Sequence, residues 1–116
     1  MEIQTASDLA GKRCVACTGG ETAYSVEQAQ SQLGELTGWA LTECGKRIRK
    51  ELVVSNFLAG LAYFEKVGQL AEEEAHHPDL HLEGYKNVAI EIWTHTIDGL
   101  SENDFIMAAK IDQIEL

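Results

Sequence analysis

Residues 56–78 read NFLAGLAYFEKVGQLAEEEAHHP and carry the longest helical pattern in the chain. Their apolar side chains recur every three or four residues and so share one helical face: Phe57, Leu58, Leu61, Phe64, Val67, Leu70 and Ala71. Asn56 or Ser55 can cap the start, and Pro78 disfavours helical backbone at His77. The stretch therefore predicts a helix from about residue 56 to about residue 75.

Strand patterns flank this helix on both sides. Apolar and polar residues alternate over 39–43 and over 47–54, with a turn signal at 44–46 between them. After the helix, residues 79–82 alternate weakly and residues 85–95 alternate clearly. Each pair is joined by a short turn, so the sequence predicts two antiparallel hairpins.

Two further helices complete the order. Ser25 and Gln28 form a capping-box pattern ahead of a helix over about 25–36, and Ser101 caps a last helix that runs to about Ile114. The order of elements is then α-β-β-α-β-β-α. It predicts an α+β two-layer sandwich, in which a four-stranded antiparallel sheet carries three helices on one face.

The length of 116 residues suits one domain. Residues 1–22 lack clean periodicity, so we expect an irregular N-terminal arm there and a single domain over 23–116. No apolar run approaches the ~20 residues of a membrane helix. The N-terminus also lacks the pattern of a signal peptide. These features predict a cytoplasmic protein that does not bind a membrane.

The charge of the chain argues against nucleic acid as a partner. The formal net charge is −10, whereas phosphate binding needs clustered Lys and Arg. One basic cluster, Lys46, Arg47, Arg49 and Lys50, falls in the first hairpin. We interpret it as a solvated strand face.

The three cysteines fit poorly with a disulfide framework because their number is odd. Cys14 and Cys17 have the spacing of a zinc or redox motif, but a structural zinc needs four ligands. Cys44, a possible third ligand, falls in a predicted turn. We favour reduced, unliganded thiols and leave zinc and redox roles open.

Three of the four histidines are predicted to gather in one region. His76 and His77 lie where the long helix ends, and His95 lies at the far end of the last strand. Histidine is the natural acid or base at neutral pH. Two adjacent imidazoles discourage double protonation, which suits a reaction that needs a proton donor and an acceptor together.

Structural interpretations of these residues stay open. Glu72 lies four residues before His76 on the same helical face, where it can orient the imidazole or be one more surface charge. The histidine pair can be a polar helix end near the C-terminal dipole. His95 taken alone can be structural, and we interpret His81 as a surface residue.

A wider pattern of residues resembles a known family. In order, its members are Glu72, His76-His77-Pro78, Tyr85, His95 and Asp104, with Trp93-Thr94-His95, Gly99-Leu100-Ser101 and Asn103-Asp104-Phe105 around them. This pattern resembles the signature of the pterin-4a-carbinolamine dehydratases, also called dimerisation cofactors of homeodomain transcription factors. The resemblance covers about residues 25–114, and the predicted order of elements is similar to the family fold.

The resemblance implies a dehydration in tetrahydrobiopterin recycling. A 4a-hydroxytetrahydrobiopterin would lose water from C4a and a proton from N5, which gives a quinonoid dihydropterin without a metal or redox cofactor. His76 and His95 resemble the acid/base pair of the family, and His77 resembles a binding and orienting group. The assignment of acid and base stays open, since coupled histidines titrate as a pair.

The resemblance also implies supporting residues: Glu72, Pro78, Tyr85, Trp93, Thr94 and Asp104. Asp104 is the third residue after Ser101, so it can cap the last helix, or it can contact the substrate. Tyr85 and Trp93 can pack on a flat pterin ring or within the sheet.

Two other kinds of function compete with the dehydratase. One is a non-catalytic dimerisation or assembly module on the same fold, and the other is a metalloprotein that uses a carboxylate and the histidines. Adjacent histidines rarely both reach one ion, and the resemblance points to a metal-free site. A small antiparallel sheet often leaves an edge strand open, and members of the family that the chain resembles are commonly dimers or dimers of dimers. We therefore expect a homodimer or homotetramer.

Overall fold

The computed structural model describes residues 3–16 and 19–116. Four α-helices, four strands and one 3-10 turn occur in this part of the chain. In order they are α1 (Ala6–Ala10), α2 (Val26–Leu33), β1 (Trp39–Leu41), β2 (Ile48–Val53), α3 (Phe57–Glu74), β3 (Asp79–Glu83), β4 (Asn87–Ile92), the 3-10 turn (His95–Ile97) and α4 (Glu102–Ile111).

The four strands form one antiparallel sheet in the order β1-β2-β4-β3. The two hairpins meet through β2 and β4, where Ile48 lies opposite Ile92. Both isoleucines are fully buried in a core that they share with Phe105 of α4. The α+β fold predicted from the sequence is therefore confirmed.

The predicted irregular arm is wrong over Ala6–Ala10, which form α1. Thr5 Oγ1 accepts a hydrogen bond from Asp8 N at 3.1 Å, and Thr5 N donates to Asp8 Oδ2 at 3.3 Å. This capping box fixes the start of the short helix. Leu9 is fully buried in the main core, which explains why the segment folds against α4.

The last strand is shorter than predicted at both ends. Gly84 and Tyr85 have positive φ angles of 55° and 56° and form the turn between β3 and β4. At the other end a bridge pairs Thr94 with Gly99, so the chain folds back and His95 begins the 3-10 turn. The predicted position of His95 at the end of a strand is corrected accordingly.

The first turns of α3 are less covered than their apolar pattern suggests. The helix packs on the sheet at Gly60, where an added Cβ would lie only 3.0 Å from the Leu82 side chain. Phe57, Leu58 and Leu61 are 49%, 75% and 45% exposed. We call these three residues, Phe57, Leu58 and Leu61, the apolar patch.

The basic cluster of the first hairpin is compensated within the chain. Each of its four side chains forms an ion pair with carboxylates: Lys46 with Asp98, Arg47 with Asp79 and Glu91, Arg49 with Glu51 and Glu91, and Lys50 with Asp112. Burial raises the pKa of Glu91, but the hydrogen bonds and charges of Arg49 and Arg47 lower it more. These positive charges therefore face carboxylates on the surface of the chain.

Candidate active site

Helix α3 ends in a left-handed residue that directs the histidine pair. Ala75 has φ 53° and ψ 37°. His76 N donates to Ala71 O at 3.2 Å, and Ala75 N donates to Glu72 O at 3.4 Å, which is the Schellman arrangement. Glycine is the usual residue at this position, because an L side chain costs about 1–2 kcal/mol in this conformation.

Beyond the turn at Ala75 the two imidazoles differ in exposure and in their partners. The His76 side chain is only 12% exposed, whereas that of His77 is 62% exposed. His76 Nε2 lies 2.6 Å from Oδ1 of Asp104, a side chain with no exposed surface. A carboxylate only accepts hydrogen bonds, so Nε2 carries a proton, and in the neutral imidazole Nδ1 is then the acceptor.

Asp104 is held by both of its oxygens. Its Oδ2 accepts hydrogen bonds from Thr94 Oγ1 at 2.8 Å and from Ser101 N at 2.8 Å. The contact with Ser101 caps α4, and Oδ1 contacts His76. Asp104 therefore caps α4, as one of the two sequence alternatives held, and it also contacts the candidate catalytic His76.

The contact of Glu72 with His76, one of the two alternatives that the helical spacing left open, does not form. Glu72 Oε2 instead lies 2.6 Å from His77 Nε2, and both side chains are exposed. The i, i+4 rule assumes helical backbone up to His76, but the chain leaves the helix at Ala75. Each imidazole consequently has its own carboxylate.

His95 is supported by an aromatic stack. Its ring lies 4.2 Å from that of Trp93, centroid to centroid, at an interplanar angle of 26°. The Arg47 guanidinium lies 4.3 Å from the Trp93 ring and pairs with Glu91 at 3.2 Å. Arg47 also lies 3.6 Å from Asp79. The exposed His95 thus rests on groups anchored in the sheet.

A cavity of about 370 Å³ brings most of these groups together. Three segments and one further residue line it: Cys14–Ala16, Glu74–His77, Trp93–Thr96 and Asn103. All three predicted catalytic histidines are among them, with Trp93 and Thr94. Asp104 lies behind His76 and is fully buried.

Besides Asp104, three predicted supporting residues are not part of the lining. Tyr85 is 60% exposed in the turn before β4, at the opposite end of that strand from Trp93. The six residues of β4 separate it from the cavity by about 20 Å. Pro78 follows His77 and leads into β3, and Glu72 contacts the lining residue His77.

The sequence pattern missed Cys14–Ala16, Glu74 and Asn103. Cys14 N donates to Glu74 Oε1 at 2.8 Å, and Val15 N donates to Asn103 Oδ1 at 2.9 Å. The capping box at Thr5 was a signal that the arm is ordered, but no spacing in the sequence indicates these long-range partners.

The motif of Cys14 and Cys17 is described only in part, because Cys17 lies outside the described residues. Burial first, and then the charge of Glu74, raise the pKa of the Cys14 thiol to about 12. Cys44 is exposed in the turn between β1 and β2. The zinc and redox hypotheses for this motif stay untested.

Three imidazoles around one cavity, two of them with carboxylate partners, are typical of an enzyme that uses general acid and base catalysis. The family model described as pterin 4 alpha carbinolamine dehydratase matches residues 22–114. The chain belongs to the pterin-4a-carbinolamine dehydratase family.

Individual relatives agree with this assignment. The chain is 45% identical over 113 residues to the Arabidopsis thaliana protein named pterin-4-alpha-carbinolamine dehydratase 2, mitochondrial. This match covers 95% of this chain and 60% of the plant protein. It is 38% identical over 109 residues to a Methylococcus capsulatus (strain Bath) protein whose name proposes the same activity. This match covers 94% of this chain and 95% of the bacterial protein. These matches confirm the resemblance and the enzyme class that the sequence indicated.

A solved structure supports the fold. A Brucella melitensis protein described as a transcriptional coactivator/pterin dehydratase superposes with a TM-score of 0.72 at 23% identity. The match covers 78% of this chain and 96% of that protein. Within residues 3–16 and 19–116, no helix is both long and apolar enough to cross a bilayer.

Proposed function

We propose that the chain dehydrates 4a-hydroxytetrahydrobiopterin to a quinonoid dihydropterin in tetrahydrobiopterin recycling. The observation that carries the proposal is that His76 and His95 reach the same cavity on separate supports, a buried carboxylate and an aromatic stack. A dehydration needs a proton donor and a proton acceptor at one substrate, and two independently held imidazoles supply both.

The proposed reaction balances one proton given against one taken. An imidazolium donates a proton to the 4a-hydroxyl, and the C4a–O bond breaks to release water. The electron pair on N5 forms the N5=C4a double bond, and a neutral imidazole accepts the N5 proton. The enzyme then needs only an internal or solvent-mediated proton exchange to return to its starting state.

The supports favour one division of labour. Asp104 holds the His76 tautomer that bears its proton on Nε2, which leaves Nδ1 as an acceptor, so we assign His76 as the base. His95 is exposed and can be reprotonated from water, so we assign it as the acid. His77, which is tethered to Glu72, binds and orients the substrate.

The test is the dehydration rate of freshly generated 4a-hydroxytetrahydropterin. We expect His76→Ala and His95→Ala each to lower kcat by about 10²–10⁴-fold, the usual contribution of a general acid or base. His81→Ala is the matched control, because His81 is an exposed imidazole of β3 outside the cavity. If folded wild type does not accelerate the dehydration, the proposal is wrong, and a non-catalytic assembly module becomes the favoured function.

We also propose that the chain forms a homodimer or homotetramer. The support is the apolar patch, where three apolar residues in the first turns of α3 face solvent in the single chain. Leu58→Glu should shift the mass in sedimentation towards the monomer. Gln69→Glu adds the same charge to an exposed position of α3 outside the patch and should leave the mass unchanged. A monomer mass for wild type would contradict the assembly.

The cytoplasmic location predicted from the sequence remains part of the proposal. The Arabidopsis relative is named as a mitochondrial protein, so the two locations can differ within the family. Cell fractionation of the full-length protein in its host decides between them.

A further inference from the structure

Two side-chain amides hold the N-terminal arm in the same way. Gln32 accepts from Gln4 N at 3.0 Å and donates to Gln4 O at 2.6 Å. Asn103 accepts from Val15 N at 2.9 Å and donates to Val15 O at 2.6 Å. Each amide satisfies both backbone groups of one residue of the arm, as a neighbouring strand would. We call these pairs the Gln32 clamp and the Asn103 clamp.

The two clamps differ in their relation to the cavity. Val15 lines it together with Cys14 and Ala16, whereas Gln4 is not among the lining residues. Only the Asn103 clamp therefore fixes a piece of chain against the histidines.

A buried carboxylate adds to the Asn103 clamp. Glu74 accepts from Cys14 N at 2.8 Å, and its other oxygen lies 3.2 Å from Lys110 Nζ. The Glu74 side chain is only 4% exposed. Removal of the arm would take away one hydrogen bond of Glu74 and two of Asn103, which is costly for buried polar groups. These hydrogen bonds consequently hold Cys14 and Val15 against the rest of the fold.

We propose that Cys14–Ala16 is a fixed third wall of the substrate cavity and that Asn103 is the positioning residue that holds this wall in place. The inference rests on the pterin dehydration proposed above. The other two walls are the end of α3 and the segment Trp93–Thr96. The Val15 side chain supplies an apolar surface to the third wall.

The wall contacts the substrate away from the reacting atoms. The protons move between the pterin and the histidines, none of which belongs to the arm. A contact of this kind binds the ground state and the transition state equally, so its loss raises KM and leaves kcat unchanged. This separates the wall from the catalytic groups, whose loss lowers kcat.

The experiment compares Asn103→Ala with Gln32→Ala, since each removes the same two kinds of hydrogen bond from the arm. Steady-state kinetics give KM and kcat, calorimetry gives the Kd of 7,8-dihydrobiopterin, and urea unfolding gives stability. We expect Asn103→Ala to raise KM and Kd about tenfold with kcat within about twofold, as loss of two hydrogen bonds allows. Both variants should lower the urea midpoint by a similar amount, but Gln32→Ala should leave KM and Kd within about twofold of wild type.

A second variant avoids the question of stability. Val15→Glu leaves the backbone clamp intact and places a larger, charged side chain at an exposed position of the wall. It should raise KM and Kd without a change in the urea midpoint. Wild-type KM and Kd in both Asn103→Ala and Val15→Glu would overturn the proposal, as would an equal rise of KM in Gln32→Ala.

The same data separate this inference from the proposed reaction. Wild type that binds dihydrobiopterin but does not dehydrate the hydroxypterin would refute the proposed reaction. The Kd values of the variants would still test whether Cys14–Ala16 contact the bound pterin. Wild type that neither binds nor turns over a pterin would overturn both proposals.

Discussion

The indole of Trp93 contacts the imidazole of His95 with 4.2 Å between ring centroids, and the guanidinium of Arg47 lies 4.3 Å from the same indole. Arg47 is fixed in turn by its ion pairs with Glu91 and Asp79. A series of contacts thus runs from the surface of the sheet to an exposed candidate acid. The position of His95 depends on this series, because the 3-10 turn that carries it is only three residues long.

The first prediction concerns this stack. Trp93→Ala should lower kcat at least about tenfold, since a misplaced catalytic group loses much of its effect. Trp93→Phe retains an aromatic face and should keep most of the wild-type kcat. Circular dichroism of both variants establishes that the fold is intact. Full activity in a folded Trp93→Ala protein would show that His95 does not need the stack.

The second prediction concerns the carboxylate behind His76. Asp104→Asn puts an NH2 group where the buried side chain now accepts from Ser101 N, Thr94 Oγ1 and His76. We expect a loss of about 1–3 kcal/mol in the free energy of unfolding, with a fall in kcat.

Glu72→Gln is the matched comparison, because it changes the exposed carboxylate of the other histidine. Exposed ion pairs contribute about 0–1 kcal/mol, so its urea midpoint should stay close to wild type. Equal stability losses in the two variants would contradict the assignment of Asp104 as the buried anchor.

The third prediction is a dependence of stability on pH through Glu74. Burial raises the pKa of this carboxyl, but the Cys14 N–H and Lys110 outweigh it and leave the pKa below the ordinary value of 4.5. A lowered folded-state pKa stabilises the fold above the unfolded pKa, and this stability is lost as pH falls through the folded pKa. Urea unfolding of wild type and Glu74→Gln between about pH 6 and about pH 3 measures it.

The variant should be less stable than wild type at neutral pH, and the difference should shrink as the pH falls. Glu65→Gln, at an exposed position of the same helix, is the control and should follow the wild-type curve. A difference that stays constant across this range would rule out the charge of Glu74 as its source.

The fourth prediction ranks two thiols by reactivity. The Cys14 thiol has its pKa raised to about 12, chiefly by burial, whereas the hydrogen bond from Thr42 lowers that of Cys44. Thiolate is the reactive form, so iodoacetamide at neutral pH should alkylate Cys44 first. Peptide mapping by mass spectrometry measures both sites. The ranking should vanish in denaturant, and faster labelling of Cys14 in the folded protein would contradict it.

Local patterns predicted most of the fold because each element depends on its own residues. The apolar period of α3 and the alternation of β4 are set within one helix or strand, and both elements are present. The short α1 escaped detection because five residues give too little periodicity, although its capping box was visible at Thr5 and Asp8. Its stability comes from the burial of Leu9, which only the tertiary structure shows.

The site was predicted as a set of residues but not as a set of contacts. The histidines meet as expected, since the end of α3 and the exit of β4 lie side by side at one cavity. The partner of His76 could not be predicted, because one left-handed residue, Ala75, cancels the helical spacing on which the Glu72 pairing relied. The Asn103 clamp joins residues 88 positions apart, and no local rule reaches that far.

Helix α3 carries the apolar patch at its first turns and the histidine pair just beyond its last. Its 18 residues separate these regions by about 27 Å of rigid rod. A subunit built this way can acquire, lose or exchange an assembly partner through substitutions that leave the reaction centre undisturbed. Changes in quaternary structure and changes in chemistry can therefore evolve in this chain as independent characters.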